Sequence, residues 1–105
     1  MTRSATPLPV ARALADFGDH LRAWRKLNRL TIAQVADRAG VSPDTLTRLE
    51  SGRGANLENT FRVMRALGTL DSWVEAADPL TTDVGRLRAI GQLPARVRGE
   101  TVTRR

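Results

Sequence analysis

The sequence predicts an all-α fold, with five short helices in one small domain and a basic C-terminal tail. Val and Ile are scattered and never fall into the period-two runs of a half-buried strand. Helix-start residues (Thr31, Ser42, Asn56) and helix-stop glycines (Gly40, Gly52, Gly68) recur at short intervals. Phe17, Leu21, Trp24 and Asn28 fall at i, i+4, i+7 and i+11, one stripe of a single helix.

Each element is justified by its ends. Residues 1–10 carry Pro7 and Pro9 among small polar residues and read as a flexible N-terminal arm. The first helix is expected from about Arg12 to Asn28. The second starts at Thr31, whose spacing to Gln34 is that of a capping box, and stops at Gly40. The third takes Ser42 as N-cap and Pro43 as its first residue, where a missing N–H costs nothing. A fourth runs from Leu57 to Leu67 behind Asn56, and a fifth, short one from Leu70 to Ala77. The helical domain thus spans residues 11–78, and the basic tail 79–105, in which a weak sixth helix covers Asp83 to Ile90. The expected core is Leu14, Phe17, Leu21, Trp24, Leu30, Val35, Ala36, Ala39, Val41, Leu46, Leu49, Leu57, Phe61, Met64, Leu67, Leu70, Trp73 and Val74.

Composition narrows the function. The 105 residues carry 17 basic against 11 acidic side chains, a formal charge of +6. Lys26 is the single lysine, and Arg offers a planar fork suited to phosphates and guanine edges. With no Cys there is no thiol chemistry or disulfide, and His20 alone cannot build a zinc site. No apolar run approaches the roughly 20 residues of a spanning helix. The N-terminus lacks the apolar stretch of a signal peptide, so a cytoplasmic protein is expected. The acidic residues are dispersed rather than clustered for a metal, and Gly52–Gly54 is too short for a phosphate loop. Neither an enzyme nor a cofactor is expected. The four aromatics do not interleave with a basic run, which argues against single-strand binding.

The stretch Thr31–Gly52, TIAQVADRAGVSPDTLTRLESG, joins two helices through a short turn. Ala36 is small where the helices must cross, Val41 plugs the turn, and Leu46 and Leu49 anchor the second helix. Pro43, Asp44, Thr45, Thr47 and Arg48 are left on the outer face, the shape of a helix that fits a major groove.

Residues 17–68 resemble the lambda-repressor-like helix-turn-helix domain of phage-repressor and XRE-type regulators. The resemblance is carried by Arg22 and Arg25, Leu30–Thr31, VADRAGVS at Val35–Ser42, and TLTRLESG at Thr45–Gly52. One position departs: Ile32 stands where many relatives carry a phosphate-binding Gln. The stretches LTIAQVADRAGVS, LENTFRVMRALGTLDSWVEAADP and DVGRLRAIGQLPARVR are similar to HipB-type antitoxins, which accompany a HipA-type kinase toxin.

The resemblance implies a homodimeric, sequence-specific regulator on double-stranded DNA, with an inverted-repeat operator. Arg48 is expected to bond guanine O6 and N7. Asp44 could accept from cytosine N4, favour the helix N-terminus, or pair with Arg48. Pro43 offers apolar contact, and Thr47 a base or phosphate contact. Gln34, Ser42, Thr45, Arg53 and Asn56 are the expected phosphate contacts. Arg25 and Glu50 match the family's internal ion pair. An antitoxin would repress its own operon and meet the toxin through its tail. Two alternatives stay open: a phage or mobile-element repressor without a toxin, and a protein-interaction module that has lost DNA binding, for which Ile32 and Asp44 are the hints.

Overall fold

The computed structural model describes residues 5–92; residues 1–4 of the expected arm and 93–105 of the expected tail lie outside the described residues. The fold is all-α: among the described residues there are six α-helices and one short 3-10 helix, and no strand. The chain forms two compact units that divide after Leu70.

The first unit holds α1 (Leu8–Leu27), α2 (Ile32–Ala39), α3 (Pro43–Glu50) and α4 (Leu57–Leu67). α1 starts four residues before the predicted Arg12, so residues 8–10, expected in the arm, are helical. The prolines explain this: Pro7 is the N-cap and Pro9 lies in the first turn, where neither ring removes a needed hydrogen bond. α1 stops at a left-handed Arg29 (φ 57°), with the Leu30 N–H donating to the Arg25 carbonyl at 3.0 Å. α2 carries the predicted capping box and ends at a left-handed Gly40 (φ 74°). α3 and α4 begin behind Ser42 and Asn56, each accepting a backbone N–H.

The core of this unit is Leu21, Val35, Ala36, Ala39, Leu46, Leu49, Val63, Met64 and Leu67, with Phe17, Leu30, Ile32, Val41, Phe61, Ala66 and Leu70 packed around it. Several expected core residues are corrected. Trp24 is 46% exposed and Leu57 66%. The inner line of α1 runs through Leu14, Gly18, Leu21 and Arg25 rather than through Trp24 and Asn28. The inner line of α4 runs through Thr60, Val63, Met64 and Leu67, so Val63, not predicted, is fully buried and Leu57 opens the helix outside.

The second unit is locally stapled. It holds α5 (Leu70–Ala76, from its second residue on), a 3-10 helix at Pro79–Thr81 and α6 (Asp83–Gln92). Asp78 caps the 3-10 helix and Thr82 caps α6 through the Gly85 N–H, each at 2.9 Å. Gly85 lies against the Pro79 carbonyl so closely that no Cβ would fit. Trp73 and Val74, expected in the core, are half-exposed; Ala89 is the buried apolar residue among those described.

Candidate nucleic-acid interface

The α2–turn–α3 pair is set by its caps. Thr31 Oγ1 accepts from the Gln34 N–H at 3.1 Å, and Gln34 Oε1 accepts from the Thr31 N–H at 2.9 Å. This holds Gln34 at the exposed start of α2 by its oxygen and leaves its Nε2 donors outward. Ile32 packs against the core instead of facing out. Ser42 Oγ accepts from the Thr45 N–H at 3.0 Å and donates to Thr45 Oγ1 at 2.9 Å. The Ser42 proton is thereby used, and the Thr45 hydroxyl keeps one to donate.

α3 has two unlike faces. Leu46, Leu49 and Glu50 are buried, while Pro43, Asp44, Thr47 and Arg48 are exposed. The side chains of Asp44, Thr47 and Arg48 make no hydrogen bond or ion pair among the described residues, so Asp44 and Arg48 do not pair one turn apart. The outer stripe is polar and uncommitted.

The inner face holds a charge. Glu50, 3% exposed, accepts Arg25 Nε at 2.7 Å and Nη2 at 3.0 Å, a two-pronged carboxylate–guanidinium pair. Arg25 Nη1 reaches the Leu30 carbonyl at 3.1 Å, so one guanidinium ties α3 to the α1–α2 turn. The hydrogen bonds that Arg25 donates to Glu50 raise its pKa above the ordinary value, against the opposing effect of burial. Arg22 adds a second cation 3.5 Å from Glu50, a partner sequence reading did not assign.

Gly18 makes the close crossing possible. A Cβ there would lie 2.6 Å from the carbonyl oxygens of Leu49 and Glu50. Sequence reading did not single out Gly18; the available signal is a Gly inside a helix, which costs about 1 kcal/mol against Ala and so points to a close backbone approach.

Beyond α3, the loop to α4 turns on two left-handed glycines, Gly52 and Gly54, both at φ 83°. Gly52 abuts the Ala15 backbone, where a Cβ would lie 3.0 Å from Cα. Ser51, also missed, follows the outer stripe; its Oγ donates to the Arg48 carbonyl at 3.0 Å and accepts Arg53 Nε at 3.1 Å. Asn56 Oδ1 accepts the Asn59 N–H at 2.7 Å, leaving its amide donors free.

These features define a helix-turn-helix: two short helices joined by a tight turn, the first burying Ala36 in the core and the second supported from within and polar without. The helix-turn-helix domain family matches residues 16–77, and the chain belongs to that DNA-binding family. No curated protein and no solved structure matches the chain. No helix among the described residues is long and apolar enough to cross a membrane.

Proposed function

We propose that the chain is a sequence-specific transcriptional regulator of XRE type, reading double-stranded DNA with the outer face of α3. The observation that carries this is the uncommitted polar stripe Asp44, Thr47 and Arg48 on a helix whose other face is locked by Glu50. Arg48 supplies the guanine contact, Asp44 and Thr47 neighbouring base contacts, and Pro43 an apolar one. Gln34 through Nε2, Thr45 through its hydroxyl, Arg53, and Asn56 through its amide face the phosphates. Ser42 contributes by orienting Thr45. As a homodimer, the protein sets two such helices about 34 Å apart on an inverted repeat.

The finer reading is an autorepressing antitoxin. It is supported by the similarity of residues 30–42 and 57–79 to HipB-type antitoxins, and its partner is a HipA-type kinase toxin. A kinase-like reading frame beside the gene, and co-purification of its product with this chain, test it. A phage early gene in that place favours a repressor without a toxin.

Arg48 and Arg53 test the docking itself. Arg48→Ala is expected to cost about 1–3 kcal/mol on the operator and relax preference at one base pair, with little change on random duplex. Arg53→Ala is expected to weaken both duplexes and reduce the salt slope by about one. The measurement is a titration of each variant against operator and scrambled duplex over a salt series. Equal losses on both duplexes for Arg48→Ala would remove it from base reading. Absence of binding to any duplex at low salt by the unaltered chain would instead favour an interaction module.

A further inference from the structure

The end of α3 carries a small hydrogen-bonded unit in which Ser51, so far without a role, joins Arg48 to Arg53. Ser51 Oγ donates to the Arg48 carbonyl at 3.0 Å and accepts from Arg53 Nε at 3.1 Å. The Arg53 N–H donates to the same carbonyl at 2.9 Å. The intervening Gly52 sits in the left-handed region against the Ala15 backbone, so the loop has little room to shift. Arg53 is thus held at its backbone and at Nε, while both Nη groups are uncommitted among the described residues.

The geometry points to Ser51 as a positioning residue for Arg53: it presents the guanidinium fork to a DNA phosphate in a pre-set orientation. This rests on the reading of Arg53 as a phosphate contact. A free Arg would lose its rotamer freedom on binding, whereas an Arg already tethered at Nε has less to lose. A phosphate takes the remaining Nη fork in a two-pronged bond. Ser51 supplies no charge, so its removal changes how well Arg53 is presented and not how many counterions are released.

The test uses the full chain and a duplex of random sequence, titrated over a salt series, with a thermal melt of each variant to establish folding. Ser51→Ala is expected to weaken binding about two- to tenfold at every salt concentration, with the salt slope unchanged. Ser51→Thr, which keeps the hydroxyl, is expected to restore affinity. In an Arg53→Ala background, Ser51→Ala is expected to have no further effect. Unchanged affinity for Ser51→Ala, a reduced slope, or a loss that adds to that of Arg53→Ala would overturn the positioning role. If Arg53→Ala by itself changes neither affinity nor slope, the phosphate contact fails and the positioning role fails with it; that outcome is distinct from a failure confined to Ser51.

Discussion

Up to Leu70, four helices close on Val35, Leu46, Val63 and Met64, all fully buried, with a buried carboxylate bridged to another helix. From Asp71 to Gln92, only Ala89 is buried, and Leu80, Val84, Leu87 and Ile90 stand exposed. The first unit is held by contacts between residues far apart in sequence: Arg25 reaches 25 positions to Glu50. In the second, the hydrogen bonds from Leu80 to Asp78, from Gly85 to Thr82 and from Arg86 to Leu80 and Asp83 join residues two to six positions apart. Burial of apolar surface is the main source of cooperative stability, so the difference separates a unit closed on its own core from one ordered by local caps. The outer stripe of α3 belongs to the first.

The comparison is broken most directly at Glu50. Glu50→Ala leaves Arg25, whose side chain is only 12% exposed, without its partner and is expected to cost about 3–5 kcal/mol. Arg25→Ala should cost a similar amount, and the double variant clearly less than the sum, by thermal or urea unfolding. Additive losses would show that the pair is not coupled. Gly18→Ala sharpens the point. The added Cβ meets the carbonyls of Leu49 and Glu50 and is expected to cost about 1–3 kcal/mol while displacing α3 from α1. Gly85→Ala makes an even closer contact with the Pro79 carbonyl, yet is expected to leave the main unfolding midpoint nearly unchanged, because it disrupts only the second unit. The smallest effect is expected from truncation after Pro79, which should retain helical circular dichroism and a cooperative melt. Loss of the melt would place residues beyond Pro79 within the stabilising core and dissolve the contrast.

Much of this was legible beforehand where the governing physics is local. The capping box at Thr31 and Gln34, Pro43 at the head of α3, and the stops at Gly40 and Gly68 follow from hydrogen bonds and backbone angles within a few residues. Those signals located the helix-turn-helix and the polar face of α3 from the string of residues. The N-terminal prolines misled for the same local reason: a proline that ends one helix can equally begin another, as Pro7 and Pro9 do at the head of α1. Tertiary structure alone turned the inner face of α1 toward Gly18 and Arg25 instead of Trp24. An arginine faces inward only when a carboxylate from another helix compensates its charge, and a mid-helix glycine is justified only when another backbone passes through the space of the missing Cβ. Neither condition is written in the residues of α1. Both depend on where α3 lies, a position that the joint packing of all four helices determines.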